Sequence, residues 1–380
     1  MEAFRIKNGI SATRYLGSNG TETAVTVGYA YDIANASYSG ISFSVAAQAA
    51  SLSRDIHFKA DGTAMYLMHG FGNTVYQYTM STAWDLSTMT YASKSFSTSS
   101  QTTSSFCCVL SSDGTKMYVE GAGTVYQYTL STAYDVSTAS YASKSFSVNA
   151  QDTGTSGIAF KSDGTKLYSI GTTNDKVHQY SLSTAWDIST ASYDSVEFSV
   201  ATQDANPVGL SFNSNGSYVF VLGTSTDNVY RYSLSTAWDL ATASYDNESL
   251  SIAPQDTNVQ GVFIDSDGSD LYVLGLDNNS VYQYSIIAYT QALDLSTGTT
   301  FSFTPSGSTT VSFTNPPATG IALGFSVEIV GDASVITWTS SIKWHLATAP
   351  TATATKELYT FVTTDGGTTY YGKKAAEAIA

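Results

Sequence analysis

The densest group of acidic side chains comprises Asp265, Asp267 and Asp270. Two carboxyl groups about 5 to 9 Å apart form the acid pair of glycoside hydrolases, and several carboxylates on one loop also suit Ca²⁺. Related turns elsewhere in the chain do not repeat these acids: Lys161 and Ser162 precede Asp163 in one of them. We therefore interpret the three aspartates as a solvated hairpin tip, with a loose Ca²⁺ site as the alternative, and predict no catalytic acid pair and no metal site.

Four histidines are the other side chains suited to acid–base chemistry near neutral pH. They are His57, His69, His178 and His345. They form no recognisable constellation with a nucleophile, and the chain has no G-x-S-x-G, HExxH or phosphate-binding glycine motif. His178 stands where related segments have tyrosine, which indicates a packing role. The sequence thus predicts no catalytic residue, no cofactor and no enzymatic activity.

A third pattern places an aromatic residue directly before an aspartate, once in each of several similar segments. The aromatic residues are Trp84, Tyr134, Trp186 and Trp238, with Tyr31 as a further counterpart. A ring of aromatic faces stacks well on sugars, whereas repeated large aromatics more commonly bury area within their own loop. We favour the packing role and retain Trp84, Tyr134, Trp186 and Trp238 as candidate ligand-binding residues. The aspartates that follow them are predicted to cap the loop.

These patterns belong to a block of about 52 residues that occurs five times. Its turn anchors are Asp61-Gly62, Asp113-Gly114, Asp163-Gly164, Asn215-Gly216 and Asp267-Gly268, at spacings of 52, 50, 52 and 52. Asp-Gly between two apolar runs is a strong hairpin signal. In the third copy, strands are predicted at Gly157 to Phe160, Lys166 to Ile170, Val177 to Leu182 and Glu197 to Val200. Four strands for each repeat of this length are typical of a β-propeller blade.

The chain ends indicate how the ring of blades closes. The distance from the loop aspartate to the start of the fourth strand is 11 residues in four repeats and also from Asp32 to Phe43. We therefore predict a five-bladed propeller over residues 28–287, in which a strand near Ile41 to Val45 completes the fifth blade beside Val281 to Tyr284. A six-bladed alternative uses Asn8-Gly9, which lies 53 residues before Asp61-Gly62.

Residues 288–380 follow a different pattern. New strands are predicted at Thr300 to Phe303, Thr310 to Phe313, Leu323 to Ile329, Val335 to Thr339 and Leu358 to Val362, followed by a frayed or docked tail from Lys373. We expect a C-terminal β-sandwich here. Residues 1–27 include the one locally basic stretch, Phe4 to Ile10 with Arg14, and are predicted either to dock to an acidic partner or to form an ordinary edge strand.

Composition excludes several classes of function. The formal net charge is −15 and the Lys and Arg residues form no stripe, so nucleic-acid binding is not expected. No stretch approaches the roughly 18 apolar residues of a membrane helix, and no secretory leader is expected at the N-terminus. Cys107 and Cys108 are adjacent on a predicted strand and point to opposite faces, which favours buried free thiols over a disulfide.

The segments VYQYTLSTAYDVSTASY (Val125 to Tyr141) and FVTTDGGTTYYG (Phe361 to Gly372) resemble structural proteins of tailed bacteriophages, in particular tail-fibre-like proteins with propeller repeats. The resemblance spans nearly the whole chain. It implies a virion component that is assembled in the host cytoplasm, contacts other virion proteins and binds a glycan or an outer-membrane receptor on the host surface. Fibres of this kind also imply a homo-oligomer, with a trimer as the expectation.

The sequence therefore predicts an all-β, non-enzymatic phage protein that acts as a tail fibre or tail-tip adhesin in host attachment. Two alternatives stay open at this point. One is a head fibre or capsid decoration protein without receptor specificity, and the other is a glycan-degrading tail enzyme.

Overall fold

The computed structural model describes residues 3–6, 10–16, 22–25, 28–29, 31–286, 289–303, 309–330, 336–338, 341–345, 350 and 356–377, of which 3–29, 289–292, 309, 310, 337 and 377 are described in their backbone only. The chain divides into two compact units. Tyr31–Ala34 and Ile41–Tyr284 form one unit, and Met1–Ala30, Asn35–Gly40 and Ser285–Ala380 form the other.

The N-terminal strands form a small sheet of their own. They are β1 (Ala3–Ile6), β2 (Ile10–Leu16), β3 (Glu22–Val25) and β4 (Gly28–Tyr29). The sheet order is β1-β2-β3, and β4 also pairs with β2. The side chains of residues 1–30, on which the predicted docking segment depends, lie outside the described part of the chain.

Five four-stranded antiparallel sheets make up the blades of a propeller-like ring, as the repeats predict. The strands of each blade are given from the innermost to the outermost. Blade I consists of β6 (Ser53–Phe58), β7 (Ala64–His69), β8 (Thr74–Met80) and β9 (Met89–Ser97), and blade II of β10 (Ser105–Leu110), β11 (Lys116–Gly121), β12 (Thr124–Leu130) and β13 (Ala139–Ser147). Blade III consists of β14 (Thr155–Phe160), β15 (Lys166–Gly171), β16 (Lys176–Leu182) and β17 (Ala191–Ser199), blade IV of β18 (Pro207–Phe212), β19 (Tyr218–Gly223), β20 (Asn228–Leu234) and β21 (Ala243–Ser251), and blade V of β22 (Val259–Ile264), β23 (Asp270–Gly275), β24 (Ser280–Ser285) and β5 (Ser37–Ser44).

Blade V confirms the predicted closure, because its outermost strand β5 precedes blade I in the chain and pairs with β24. Beyond the paired strands, the amide of Val45 donates to the carbonyl oxygen of Asn279 at 2.8 Å. The pairing of β5 with β24 removes the open sheet edge that β24 would otherwise present. The five-bladed prediction is confirmed, and the six-bladed alternative is not, since the described strands before and after Asn8-Gly9, β1 and β2, belong to the N-terminal sheet.

A short 3₁₀ helix precedes the outermost strand of each blade. These helices are η1 (Ile33–Asn35), η2 (Leu86–Thr88), η3 (Val136–Thr138), η4 (Ile188–Thr190) and η5 (Leu240–Thr242). The aspartate before each of η2 to η5 accepts a hydrogen bond from a backbone amide in the helix, as Asp187 does from Ser189. The predicted capping role is therefore confirmed for these four loops.

The propeller core consists of apolar clusters between neighbouring blades. Among its largest side chains are buried tyrosines from the third strand of each blade: Tyr78, Tyr128, Tyr180, Tyr232 and Tyr284. Their hydroxyls donate to a recurring set of glutamines, Gln48, Gln101, Gln151, Gln203 and Gln255. Each of these bonds joins the loop after the outermost strand of one blade to the third strand of the next blade.

The C-terminal residues form two further sheets. Their strands are β25 (Tyr289–Asp294), β26 (Thr300–Phe303), β27 (Thr309–Thr314), β28 (Leu323–Ile329), β29 (Ile336–Trp338), β30 (Ile342–Trp344), β31 (Glu357–Thr363) and β32 (Tyr370–Glu377). The sheet orders are β25-β27-β29 and β26-β28-β31-β32-β30, and one apolar cluster includes residues of both sheets. Of the two alternatives predicted for the tail, the frayed one is wrong for Lys373 to Glu377, because these residues end β32 and pair with β31 across a shift in register.

Candidate functional site

The innermost strands β6, β10, β14, β18 and β22 contact one another around a central channel. A cavity of about 240 Å³ lies at their C-terminal ends, and a second one of about 370 Å³ lies at their N-terminal ends. We call these the C-end cavity and the N-end cavity. All of their described lining residues belong to the propeller.

The loops that lead to the capping aspartates shape the C-end cavity. Their aromatic residues have left-handed backbones, with φ of 70° at Tyr31, 68° at Trp84, 62° at Tyr134, 60° at Trp186 and 66° at Trp238. Non-glycine residues adopt this conformation rarely, and it persists only where the surroundings fix it.

Each aromatic residue is anchored to the hairpin turn of its own blade. The amide of Trp186 donates to the carbonyl oxygen of Gly164 at 3.0 Å, and the other four loops repeat this bond. The indole lies directly over Gly164, where a Cβ atom would come within 2.4 Å of the ring. Gly164 also has a φ of +75°, so the turn requires glycine on two grounds.

The neighbouring blade holds the carbonyl of the same aromatic residue. Buried tyrosine hydroxyls donate to these oxygens from Tyr66 to Tyr134 at 3.0 Å, from Tyr118 to Trp186 at 2.6 Å, from Tyr168 to Trp238 at 2.7 Å and from Tyr272 to Trp84 at 2.6 Å. Burial raises the pKa of all four hydroxyls well above the usual value, which keeps them protonated as donors. The loops are thus part of the interblade structure, as the packing interpretation predicts.

Four of these aromatic residues also line the C-end cavity. They are the four candidate ligand-binding residues, Trp84, Tyr134, Trp186 and Trp238, and all are partly exposed. Phenylalanines at the ends of the innermost strands lie behind the indoles, with ring centroids 5.9 Å apart for Phe58 and Trp84 and 5.3 Å apart for Phe212 and Trp238. The structure therefore brings the four candidates, each of them a partly exposed residue, together around one cavity.

Neutral polar groups complete the lining of the C-end cavity. They are Ser111, Ser112, Ser162, Asn213, Ser214 and Ser266. One cation is also present: the Lys59 ammonium lies 4.8 Å from the centroid of the Tyr134 ring and pairs with Asp61 at 2.7 Å. Aromatic faces surrounded by hydroxyl and amide groups suit a neutral, polyhydroxylated ligand.

Asp55 and His57 project into the channel from β6, and sequence reasoning missed Asp55. Asp55 is half-buried, and desolvation raises the pKa of its carboxyl to about 8 although Oδ2 accepts a hydrogen bond from the Cys108 amide at 3.2 Å. Burial lowers the pKa of His57 to about 4, and its ring packs edge-on against Phe263 at 5.6 Å. Both groups are therefore neutral near pH 7. The sequence does contain a hint that this position is unusual, because the repeats of blades III to V have glycine where blade I has Asp55.

The three clustered aspartates differ in their environments. Asp267 is exposed, but Asp265 is buried and both of its carboxyl oxygens accept hydrogen bonds from Ser269. Burial raises the pKa of Asp265 to about 8 and that of Asp270 to about 6. The predicted solvated tip is therefore wrong for Asp265, because this residue folds back under its turn. Within the described residues, no group of three or more acidic, histidine or cysteine side chains is arranged to hold a metal ion.

The remaining predicted side chains have packing roles. His178 is buried in β16 and its ring lies 6.0 Å from that of Tyr193. Cys107 and Cys108 are free, buried thiols that belong to two different interblade clusters, as their alternation predicts.

The N-end cavity has a different lining. Its polar residues are Arg54, Thr153, Thr155, Ser156, Thr172, Asn206, Thr224, Asn258 and Gln260, and no carboxylate is among the described lining residues. Sequence reasoning did not identify this site, because its residues differ from one blade to the next.

No protein-family model matches the chain, and no curated protein sequence matches it. Among the helices of the described residues, none has the length and apolar character needed to cross a membrane.

Solved structures give remote similarities. A functionally unknown protein from Desulfotomaculum acetoxidans is 12% identical over 59% of this chain and 62% of its own, with a TM-score of 0.38. A protein from Bacteroides fragilis proposed to be a 6-phosphogluconolactonase is 14% identical over 64% of this chain and 65% of its own, with a TM-score of 0.37. A luciferin-regenerating enzyme is 13% identical over 64% of this chain and 94% of its own, with a TM-score of 0.39.

The chain thus spans less than two thirds of the length of the first two of these proteins. TM-scores this low support no statement about activity. The propeller assignment rests on the strand pairing of the chain itself.

Proposed function

We propose that the chain is a non-enzymatic virion protein of a tailed phage, a tail fibre or tail-tip adhesin that binds a glycan on the host surface at the C-end cavity. The observation that carries this proposal is the arrangement of Trp84, Tyr134, Trp186 and Trp238, four partly exposed aromatic residues that line one cavity. The phage assignment itself comes from the resemblance of the repeat and of the C-terminal segment to tail-fibre-like proteins.

The loop backbone supports a binding role because it holds the rings rigidly. The backbone amide of each aromatic residue donates a hydrogen bond to its own hairpin turn. Tyrosine hydroxyls of the neighbouring blade donate to the carbonyl oxygens of these residues, as Tyr118 does to Trp186 and Tyr168 to Trp238. A ligand that stacks on such rings loses little affinity to ordering of the protein. The neutral serine and asparagine side chains around them can exchange hydrogen bonds with sugar hydroxyls.

The electrostatic state of the cavity supports binding over catalysis. Glycoside hydrolysis requires one carboxylic acid and one carboxylate on either side of the scissile bond. The carboxyls of Asp55 and Asp265 both have a pKa of about 8 and are both protonated near pH 7, and Asp265 is fully engaged by Ser269. The described cavity thus offers no carboxylate nucleophile or base of this kind.

We further infer that the two C-terminal sheets form a β-sandwich and that the protein is a homo-oligomer, with three copies as in many fibres. Several weak glycan contacts on one particle would then act together. This arrangement is typical of an adhesin.

The proposal is tested by antibody labelling of purified virions in the electron microscope, combined with adsorption assays. Labelled tails, together with inhibition of phage adsorption by the free protein, are the expected result. Labelling of the capsid would contradict the proposal and favour a decoration protein. Release of reducing sugar from host glycans by the purified chain would contradict the non-enzymatic role.

A further inference from the structure

The N-end cavity contains an arginine that the fold does not neutralise. The structure describes the side chains of two arginines, and Arg231 makes ion pairs with both Asp246 and Glu248. Arg54 has no carboxylate within ion-pairing distance among the described residues. Its Nη1 donates to Gln260 Oε1 at 3.1 Å, and its guanidinium lies 5.3 Å from the ring centroid of Phe106. In a chain with a net charge of −15, an arginine without a carboxylate partner is unexpected.

A short hydrogen-bond chain orients the amides beside Arg54. Gln260 accepts from Arg54 and donates through Nε2 to Asn258 Oδ1 at 3.4 Å. The remaining donors, Nε and Nη2 of Arg54 and Nδ2 of Asn258, make no hydrogen bond to other described residues. The guanidinium fork is a good match for a carboxylate, and amide and hydroxyl groups match alcohols.

The differences between the repeats indicate that this ring of positions is not fixed by blade packing. The five equivalent positions hold Arg54, Phe106, Ser156, Val208 and Gln260, and all five line the cavity. By contrast, the tyrosines, glutamines and loop aromatics that hold the blades together are repeated almost unchanged. A ring that is diversified within an otherwise uniform repeat is typical of a binding surface.

The size of the cavity also suits a small molecule. Its volume of about 370 Å³ lies within the range of roughly 300–1,000 Å³ that small-molecule sites occupy. Thr153, Ser156 and Asn206 add hydroxyl and amide groups at the start of blades III and IV, whereas Arg54 belongs to blade I.

We propose that the N-end cavity is a second binding site, for a small carboxylate that carries several hydroxyl groups, such as a hexuronic acid. Arg54 binds the carboxylate, and the amide and hydroxyl side chains bind the alcohol groups. The site is at the opposite end of the channel from the aromatic rings and does not depend on the proposed host attachment.

The test is calorimetric titration of the full chain with D-glucuronate and, as a matched neutral probe, D-glucose. Glucuronate is expected to bind saturably and at least about 10-fold more tightly than glucose, and Arg54→Gln is expected to weaken glucuronate binding at least about 10-fold, as loss of a charge-assisted hydrogen bond implies. Lys176→Gln removes a cation from β16, outside the described lining of both cavities, and should leave glucuronate binding unchanged. Equal binding of both sugars, or no saturable glucuronate binding, would overturn the proposal.

A second measurement covers the case in which Arg54→Gln fails to fold. Phenylglyoxal modifies accessible arginines, and peptide mass mapping of the wild-type chain reports the modification of Arg54 directly. Glucuronate should protect Arg54 from phenylglyoxal, whereas glucose should not. Protection by inorganic sulfate without protection by glucuronate would identify a bare anion site and contradict the proposed class of ligand.

Discussion

Arg231 Nη1 donates a hydrogen bond of 2.8 Å to the main-chain oxygen of Tyr31, at the blade interface where Phe220 replaces the usual tyrosine. At the other four interfaces a tyrosine hydroxyl makes this bond, and a glutamine in the position of Arg231 accepts from the next loop, as Gln179 does from Leu240. Phe220 and Arg231 therefore replace, as a pair, the tyrosine and the glutamine of the other four interfaces. They lie where blade IV meets Tyr31, the start of the segment that closes the ring.

This coupling predicts the outcome of a double-mutant cycle. Arg231→Gln should reduce the free energy of unfolding by about 2 to 3 kcal/mol, because the Tyr31 carbonyl loses its donor and Asp246 and Glu248 lose their cation. Adding Phe220→Tyr restores the pair found in the other blades and should recover about 1 kcal/mol. Denaturant unfolding measures both values. A double variant no more stable than Arg231→Gln alone would show that the two positions are not coupled.

The turn glycines predict a large local effect from a small substitution. Gly164→Ala should destabilise the protein by at least about 3 kcal/mol, since left-handed strain costs about 1 to 2 kcal/mol and displacement of the Trp186 ring adds to it. Gly40→Ala is the matched control, because Gly40 has a φ of +81° but no atom within 4 Å of the point that a Cβ would occupy. Its expected cost is about 1 kcal/mol. Equal costs for the two variants in denaturant unfolding would rule out the ring contact.

Asp55 predicts how stability depends on pH. Its carboxyl pKa is about 8 in the folded protein and 3.8 as the ordinary value, so the folded state retains a proton that the unfolded state loses. The stability that this retained proton contributes is complete below pH 4. It declines as the pH rises from 4 to 8, by about 1.4 kcal/mol for each pH unit. His57, with a pKa near 4, acts in the opposite direction, since its contribution declines as the pH falls from 6.5 to 4.

Asp55→Asn removes the pH dependence that comes from the Asp55 carboxyl and leaves that of His57 in place. The variant should unfold with a free energy close to that of the wild type at pH 4 and should exceed the wild type increasingly towards pH 8. Unfolding curves at several pH values measure the difference. A difference that does not change with pH would contradict the raised pKa of Asp55.

The adjacent thiols predict a simple chemical result. Cys107 and Cys108 are buried, and burial raises the pKa of both thiols well above the usual value. Neither should react with a thiol-specific reagent in the native protein, and both should react in denaturant, because the thiolate is the reactive form. Rapid native labelling of either residue would show that the innermost strand β10 opens locally.

The fold was largely predictable from the sequence because its determinants are repeated. The Asp-Gly turns, the alternating strands and the constant 11-residue spacing predict five blades and their closure by β5. Residues that occur in one blade only carry no such signal. Asp55, Arg54 and Arg231 acquire their environments from strands that are distant in sequence, so their roles emerge only when the ring is closed.

The candidate rings predict a graded loss of binding. Trp186→Ala and Trp238→Ala should each weaken glycan binding by about 2- to 10-fold, as expected when one aromatic stacking contact worth about 0.5 to 1.5 kcal/mol is removed. Trp186→Tyr should retain most of the affinity, because blade II has Tyr134 at this position. Thermal melting distinguishes loss of a contact from loss of the fold.

The most direct test of the proposed function is binding of the fluorescently labelled chain to an array of bacterial surface glycans, with the Trp186→Ala/Trp238→Ala variant and Arg54→Gln measured in parallel. We predict saturable binding to a defined group of neutral glycans, its loss in the double tryptophan variant and its retention in Arg54→Gln. Absence of glycan binding by the folded wild-type chain, or undiminished binding by a folded double variant, would contradict a glycan site at the C-end cavity.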